Sequence, residues 1–269
     1  MSTSQSPPVA LTIAGSDNSA GAGAQADLKT MSALGAYGVT ALTCVVAEVP
    51  GKVSAIQPVE ARIVAEQIRL LFEAFPVAAA KTGMLYSREI IETVAGVLAS
   101  QAPIPLVVDP VMVATSGDPL LREDAVALYG ERLFPRATLV TPNLDEVRTL
   151  LGHEVATVDE MRSAGAALVA RFGANFLLKG GHLRDATAVD LLFERDGSVH
   201  EFAAPFVPGV STHGTGCTCS AAITAGLARG LDLRAAVAEA KRFVTRAIAQ
   251  HLRWEGPGGS TDALHHFAR

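Results

Sequence analysis

Short apolar runs alternate with segments of helical periodicity along most of this chain, and this alternation constrains the fold more than any other feature. Five of the runs lie at residues 9–14, 78–82, 104–108, 139–141 and 176–179. Runs that are continuous in hydrophobicity are typical of parallel strands buried on both faces. The pattern therefore predicts a three-layer α/β fold, with a central, mainly parallel sheet flanked by helices.

Helices are predicted between these runs from their apolar spacing and their end signals. They cover roughly residues 22–34, 64–75, 88–98, 122–133, 143–151, 161–172, 215–229 and 233–253. A β-rich run at 38–47 is predicted as one further strand. The dipeptide Asp196-Gly197 predicts a hairpin turn between strands near 189–193 and 200–203.

Composition places the chain among folded globular proteins. Of its 269 residues, 49% are hydrophobic and 18% are charged, which supplies a large core and excludes a disordered chain. The 22 basic and 27 acidic residues give a net charge of -5, so no general positive field would attract nucleic acid or anionic lipid. The uncharged stretch 202–228 contains Pro205 and Pro208 and does not predict a membrane span.

The first residues and the cysteines predict a cytoplasmic protein. The N-terminal segment has neither a basic stretch nor a small-residue cleavage site, so no signal peptide is expected. Cys44, Cys217 and Cys219 are too few and too unevenly spaced for a disulfide framework. The length fits one large α/β domain or two smaller ones.

Several residues follow the predicted strands or begin the next helix. They are Gly15, Asp17, Asp27, Glu48, Lys81, Asp109, Asn143, Glu146 and Lys179. In an open parallel sheet, ligands bind beyond the carboxyl ends of the strands. These residues are therefore the first candidates for a functional site, although the architecture alone does not specify a reaction.

The segment from Thr212 to Thr218 reads Thr-His-Gly-Thr-Gly-Cys-Thr and leads into a predicted helix. Glycines let successive backbone N–H groups face one point, and the helix N-terminus adds partial positive charge. The segment therefore predicts a cradle for phosphoryl oxygens. Cys217 lies at this positive end, which is expected to lower its thiol pKa and favour the thiolate. The alternative is a small buried residue.

Six sequence blocks carry a resemblance to a known enzyme family. They read ALTIAGSDNSAGAGAQADLKTMSALGAYG, AAKTGML, VVDPVMVATSGDPLL, TPNLDE, LLKGGH and THGTGCT. In this order they resemble blocks of the ribokinase-like vitamin kinases, most closely the hydroxymethylpyrimidine/phosphomethylpyrimidine kinases of thiamine biosynthesis. The resemblance implies a single ribokinase-like domain over residues 1–269 and a homodimer. It also implies transfer of the ATP γ-phosphoryl group to a hydroxymethyl group and then to the resulting phosphate.

The resemblance assigns residues to the phosphoryl donor. Lys179 resembles a lysine that contacts the phosphates of ATP, and Asn143 and Thr215 are assigned to the nucleotide. Asp109 and Glu146 are assigned to Mg²⁺, usually through water, because Mg²⁺ loses its water reluctantly. Without the resemblance, such carboxylates are often only caps, and a strand-end lysine is more often a solvated charge.

Catalysis is assigned to Cys217 together with Gly214, Thr215 and Gly216. Cys217 either takes the hydroxyl proton as a general base or helps bind the transferring phosphoryl group with the backbone amides. A phosphate oxygen needs little base to attack. The base role therefore predicts that Cys217→Ala harms the first phosphorylation more than the second.

The resemblance places Gly15, Asp27, Glu48 and Met84 around the pyrimidine and its hydroxymethyl group. Glu48 departs from the family, which usually carries Gln there. Gln offers a donor and an acceptor, whereas an ionised Glu only accepts. The change predicts altered substrate preference or pH dependence, and a raised carboxyl pKa is one way to restore the match. A second departure, Thr115 where lysine is frequent, argues against a cation at that position.

Two other functions fit the same blocks. Pyridoxal kinases share the cradle, and a non-catalytic pyrimidine-binding or regulatory protein could retain the fold. Retention of Cys217, Lys179, Asp109 and Glu146 argues against the non-catalytic reading.

Three further residues are read as structural or left open. Cys219 lies about 200° around the helix from Cys217, so it is expected to pack into the core, as is Cys44. Three roles stay open for His213: contact with a nucleotide, capping of the helix, or a local hydrogen bond.

Overall fold

The computed structural model describes residues 6–112, 123–183, 187–210, 213–257 and 259–268. Over these ranges the strands are β1 (Val9–Ala14), β2 (Tyr37–Leu42), β3 (Cys44–Val49), β4 (Lys52–Pro58), β5 (Val77–Thr82), β6 (Leu106–Val108), β7 (Leu139–Val140), β8 (Phe176–Lys179), β9 (Thr187–Phe193), β10 (Val199–Pro205), β11 (Leu252–Gly256) and β12 (Gly259–Ala263). The α-helices are α1 (Gly23–Ala33), α2 (Ala61–Ala74), α3 (Arg88–Ser100), α4 (Glu123–Leu128), α5 (Leu144–Leu151), α6 (Val158–Phe172), α7 (Thr215–Ala228) and α8 (Leu233–Ala249).

Eight of these strands form a central sheet in the order β10-β9-β8-β7-β6-β5-β1-β2. The strands from β2 across to β8 are parallel, whereas β9 and β10 form an antiparallel hairpin at the edge. Every residue of β1 is buried, as its continuous apolar run predicts. Helices cover both faces of the sheet, so the predicted three-layer α/β architecture is confirmed.

The two faces of the sheet differ in side-chain size. Leu11 and Ile13 of β1 pack into a large apolar cluster that includes residues of α2, α3, α5 and α6. Ala10 and its partner Ala79 on β5 face the other way and pack with α1 and α7. Because these residues are small, α7 packs closely against β1, β5 and β6, and its residues 218–226 are all buried. This close packing fixes the position of the N-terminus of α7.

The single strand predicted at 38–47 is wrong. The chain leaves the sheet at Thr43, and β3 instead pairs with β4 in a separate antiparallel hairpin. The Thr43 N–H still donates to the Ala14 carbonyl at 3.1 Å, but its own carbonyl accepts from Val59 at 2.9 Å. Thr43 is therefore the point at which backbone pairing passes from the central sheet to the hairpin.

Two predicted helices are shorter than expected. The helix predicted over 122–133 is α-helical over Glu123–Leu128 and then makes a π-helical turn over Tyr129–Leu133. The helix predicted over 233–253 ends at Ala249, and residues from 252 onward form the β11–β12 hairpin. No Gly or Pro stands at this helix end, so the sequence carries no stop signal there. None of the helices in the described ranges combines the length and apolar content needed to cross a membrane.

Gly165 in α6 provides a test of how tightly the helices pack on the sheet. A Cβ at this buried position would lie 2.1 Å from the ring of Phe193 in β9, whereas a Cβ on exposed Gly96 in α3 meets no atom within 4 Å. Gly165→Ala should lower the free energy of unfolding by about 1–3 kcal/mol through overpacking. Gly96→Ala, the matched control, should raise it by about 0.5–1 kcal/mol through helix propensity. Denaturant unfolding measures both, and a stabilising Gly165→Ala would contradict this packing.

Candidate active site

A cavity of about 480 Å³ lies at the carboxyl ends of the parallel strands. Its wall includes the ends of β1 and β8, the residues after β5 and β6, the β3–β4 hairpin and the N-terminus of α7. This is the edge at which open parallel sheets bind ligands. Of the site residues predicted from the sequence, those that line the cavity are Gly15, Glu48, Met84, Asp109, Asn143, Glu146, Lys179, Gly214, Thr215, Gly216 and Cys217.

The predicted cradle forms the start of α7. Gly214 is the N-cap with φ +82°, in the left-handed region that favours glycine, and a Cβ there would lie 1.8 Å from the Gly21 carbonyl oxygen. Gly216 lies beside a charged group, because a Cβ there would lie 3.3 Å from Lys179 Nζ. The first N–H groups of a helix are donors without intrahelical partners and carry partial positive charge. The start of α7 therefore has the chemistry to hold an anion.

The prediction that Cys217 is a thiolate is wrong. Burial raises the pKa of the Cys217 thiol to about 12, and the charges of Asp27 and Asp109 act in the same direction. Lys81 and a hydrogen bond from the Gly23 amide oppose this rise without overcoming it. Desolvation therefore outweighs Lys81 and the Gly23 amide, and the side chain is a protonated thiol at neutral pH.

Asp109 is the carboxylate on the floor of the cavity. Lys179 Nζ and Thr141 Oγ1 donate to its Oδ1 at 3.1 and 3.0 Å, and Ser220 Oγ donates to its Oδ2 at 3.1 Å. Burial favours the neutral acid, but Lys179 and Lys81 outweigh it and hold the pKa of Asp109 below its usual value. An ionised carboxylate thus lies beside a lysine and next to the cradle.

Glu146 lies in the first turn of α5 and forms a capping box with Asn143. The Asn143 amide donates to the Glu146 carboxyl at 2.8 Å, and the Glu146 amide donates to Asn143 Oδ1 at 2.9 Å. Burial raises the pKa of Glu146 to about 8, and the nearby Asp109 charge adds to this rise. Asn143 therefore has a structural use as a cap besides its place on the cavity wall.

Asp109 and Glu146 have the donor chemistry that Mg²⁺ requires. Mg²⁺ takes oxygen ligands, keeps several waters and is commonly held by one or two carboxylates together with phosphate oxygens. Within the described part of the chain, no group of three or more His, Cys, Asp or Glu side chains is arranged to hold a metal ion unaided. The Asp109 carboxylate, and Glu146 once it has lost its proton, therefore fit a magnesium ion that arrives with a phosphate ligand.

Asp27 is the predicted substrate residue that does not line the cavity. Its side chain is fully buried, accepts from Thr12 Oγ1 at 2.6 Å and pairs with Lys81 Nζ at 2.8 Å. Burial alone would lower the pKa of Lys81, but the Asp27 carboxylate outweighs it and raises that pKa. A Cβ on cavity-lining Gly83 would lie 3.8 Å from Lys81 Nζ, so this ion pair lies just beneath the cavity wall.

Glu48 lies on β3, with its side chain on the cavity wall beside Val46. Burial raises the pKa of this half-buried carboxyl to about 6, the Asp17 charge adds to the rise, and His213 opposes it. The raised pKa that the sequence analysis considered is therefore confirmed. At neutral pH most of the carboxyl is ionised, and under mildly acidic conditions it becomes a donor.

Sequence reasoning missed a second part of the cavity, which lies between β10 and α8. Its apolar wall comprises Pro205, Phe206, Val207, Val244 and Ile248. Lys241 and Asp190 flank it as an ion pair at 2.8 Å. The i, i+4 spacing of Val244 and Ile248 is a helical signal, but it is also that of an ordinary core face. The sequence offered no further signal for this subsite.

The remaining predictions about single residues have mixed outcomes. Cys44 and Cys219 are buried free thiols, as expected, although Cys219 also reaches the cavity wall. The side-chain bond of His213 that the described residues show is long-range, since its Nε2 lies 3.0 Å from Asp17 Oδ2, almost two hundred positions away. Thr115 lies outside the described residues.

Comparison with known proteins identifies the family. The sequence model described as phosphomethylpyrimidine kinase matches residues 17–262. The chain belongs to this family. A hydroxymethylpyrimidine/phosphomethylpyrimidine kinase of Rhizobium meliloti is 45% identical over 262 residues, which are 97% of each chain. The thiamine biosynthesis bifunctional protein ThiED of Geobacter sulfurreducens is 46% identical over 250 residues, but the match covers 92% of this chain and only 51% of that longer protein.

A solved structure supports the fold assignment. Bacillus subtilis pyridoxal kinase in complex with ADP has a TM-score of 0.89 at 37% identity, and the match covers 98% of each chain. The ribokinase-like fold and the kinase family predicted from the six blocks are therefore confirmed.

Glu48 makes the stability of this family member depend on pH. Its folded-state pKa of about 6 lies above the model-compound value of 4.5, so protonation favours the folded state. The stabilisation is complete below about pH 4.5 and is lost as the pH rises through 6. Glu48→Gln cannot ionise, and because this carboxyl is about half exposed and partly screened by water, the variant should gain about 0.5–1 kcal/mol relative to wild type between pH 4.5 and 7.5. Denaturant unfolding at several pH values tests this, and a pH-independent difference would contradict it.

Proposed function

We propose that this protein is an ATP-dependent kinase of thiamine biosynthesis. It phosphorylates 4-amino-5-hydroxymethyl-2-methylpyrimidine and then phosphorylates the monophosphate to give the pyrimidine diphosphate. One observation carries the proposal: the Gly214–Gly216 cradle lines a single cavity together with two chemically different subsites, the apolar slot of β10 and α8 and the pocket of Gly15, Glu48 and Met84. Phosphoryl transfer requires sites for a donor, for the transferring phosphate and for an acceptor to lie together.

In this proposal the apolar slot receives the base of ATP and the cradle receives its terminal phosphates. Lys179, 3.1 Å from Asp109, supplies positive charge beside Gly216. The bound ADP in the related pyridoxal kinase structure supports a nucleotide donor. Asp109 and Glu146 would hold Mg²⁺ through water, and that ion neutralises charge on the transferring group. Thr215 and Asn143 complete the set assigned to the nucleotide.

Catalysis rests mainly on electrostatic stabilisation by the cradle. Amides fixed at the start of α7 donate to phosphoryl oxygens as charge develops, and the burial of α7 keeps them in place. The Cys217 thiol, with a pKa of about 12, is a poor general base in the free enzyme and is better suited to contact the transferring group. This evidence favours the anion-binding role over the base role.

The acceptor pocket can receive the amine of an aminopyrimidine, although it does not match a neutral aminopyrimidine fully. The Glu48 carboxylate accepts hydrogen bonds, and an exocyclic amine donates them. The second contact needs a proton, which the Glu48 carboxyl carries under mildly acidic conditions because its pKa is about 6. Asp27 would influence the acceptor pocket from beneath the cavity wall, where its ion pair with Lys81 fixes its position. The high structural similarity to a pyridoxal kinase makes pyridoxine the second candidate acceptor.

The whole chain, residues 1–269, is proposed to act as one kinase domain in the cytoplasm. Residues from Ala14 to Ile248 line the same cavity, so one site draws on most of the chain. Cys44, Cys217 and Cys219 are free thiols, which suits a reducing compartment in which ATP is available.

A product assay tests the proposed reaction. The pure protein is incubated with ATP, Mg²⁺ and either hydroxymethylpyrimidine or pyridoxine, and products are detected by mass. We expect the pyrimidine monophosphate to appear first and the diphosphate to follow. Phosphorylation of pyridoxine alone would assign the protein to the alternative activity. A ligand-induced rise in melting temperature without ATP turnover would assign it to the non-catalytic class.

The same assay separates the two roles of Cys217. Because the thiol is protonated, Cys217→Ala should slow both phosphorylations to within about threefold of each other. Loss of the first step alone would restore the general-base assignment.

The enzyme is further proposed to be a homodimer that pairs through the β3–β4 hairpin. Alternation along β3 turns Val46 and Glu48 toward the cavity and Val45 and Val49 outward, where more than half of each valine surface is exposed. A two-stranded sheet with an exposed apolar face is rarely stable alone. A second copy would cover this face.

Light scattering measures the dimer directly. We expect about twice the chain mass of 27.9 kDa for wild type and a shift toward the monomer mass for Val45→Lys/Val49→Lys. A wild-type monomer at micromolar concentration would contradict the proposal.

A further inference from the structure

A hydrogen bond joins the two loops that carry opposite ends of the proposed reaction. Asp17 lies in the loop between β1 and α1, whose residues Gly15 and Ser16 line the acceptor pocket. His213 directly precedes the cradle residue Gly214. His213 Nε2 lies 3.0 Å from Asp17 Oδ2, and an ionised carboxylate only accepts, so Nε2 is the donor.

Asp17 is a rigid anchor for this bond. Its Oδ1 accepts from the Ser19 amide at 2.7 Å, and its Oδ2 accepts from the Gly21 and Ala22 amides at 3.1 and 2.7 Å. The side chain is buried, and burial alone would favour the neutral acid. The hydrogen bonds from His213 and from the loop outweigh that effect and hold the pKa of Asp17 well below its usual value.

The two loops also touch without free space between them. A Cβ on Gly21 would lie 2.9 Å from His213 Cδ2, and a Cβ on Gly214 would lie 1.8 Å from the Gly21 carbonyl oxygen. The Gly23 amide, at the end of the same loop, lowers the pKa of the Cys217 thiol. A shift of His213 would therefore move the cradle relative to the acceptor pocket.

We propose that Asp17 and His213 are a positioning pair that holds the acceptor hydroxyl in line with the phosphoryl group in the cradle. The inference rests on the proposed kinase function and adds two residues to it. Correct alignment of two reactants is worth several powers of ten in rate, and displacement by about 1 Å can cost about 100-fold. When the alignment is lost, water competes for the same phosphorus. The P–O bond to ADP then breaks while water forms the new bond, giving inorganic phosphate and a proton.

The test compares His213→Ala with His213→Gln, whose amide N–H reaches a similar position. We expect His213→Ala to lower kcat for the alcohol by about 10- to 100-fold, with both KM values within about threefold of wild type. ADP formed per phosphorylated alcohol should rise above one. His213→Gln should restore most of kcat and the one-to-one ratio. If His213→Ala does not fold, His213→Leu replaces it, because leucine fills the volume without a donor.

His200→Ala is the matched control. It removes a histidine–carboxylate contact of similar length, 3.1 Å to Glu194, in the part of the β9–β10 hairpin that does not line the cavity, and should leave kcat and the ratio unchanged. Wild-type kcat in His213→Ala would overturn the proposal, as would raised KM values at unchanged kcat or a glutamine variant as poor as alanine. If wild type forms no phosphorylated alcohol, the kinase function itself fails instead.

Discussion

The close packing of α7 against the sheet is the constraint on which the site depends. An ordinary surface helix buries one face, but this helix is buried over residues 218–226. That position is available because Ala10 and Ala79 face it from the sheet, and because Gly226 approaches Ala236 of α8 closely. Larger residues at these points would displace the helix. The amides at its N-terminus would then no longer lie beside Gly21 and Lys179.

Charge around the cavity is organised in pairs. Three lysines each form an ion pair with a buried or partly buried aspartate. The pairs are Lys81–Asp27 beneath the cavity wall, Lys179–Asp109 on its floor and Lys241–Asp190 beside the apolar slot. A buried charge is costly unless it is paired, so the pairs allow positive groups to remain close to an anion site. The same burial raises the pKa values of Cys217, Glu146 and Glu48. Desolvation, more than any single neighbour, sets the proton state of this site.

Sequence patterns were reliable where one local signal had one structural meaning. Continuous apolar runs became parallel strands, and the Thr-His-Gly-Thr-Gly-Cys-Thr segment became the start of a helix. The patterns gave wrong predictions where the same sequence pattern is compatible with two different structures. The run at 38–47 is uniformly β-rich although it belongs to two sheets, and α8 ends at Ala249 without a Gly or Pro. The apolar slot looked like a normal core face, because residues that bind a flat ring and residues that pack a core have the same chemistry.

The sequence by itself determined the strands of the central sheet, the helices between them, the glycine cradle and the family, because backbone conformation and hydrophobic period are local properties. Only the tertiary structure decided that Asp27 lies beneath the cavity, that His213 bonds to Asp17, and that Cys217 keeps its proton. Each of these depends on groups far apart in the chain and on how much water the fold leaves around them. Desolvation and long-range hydrogen bonds arise only when the chain has folded, so no spacing along the sequence contains them.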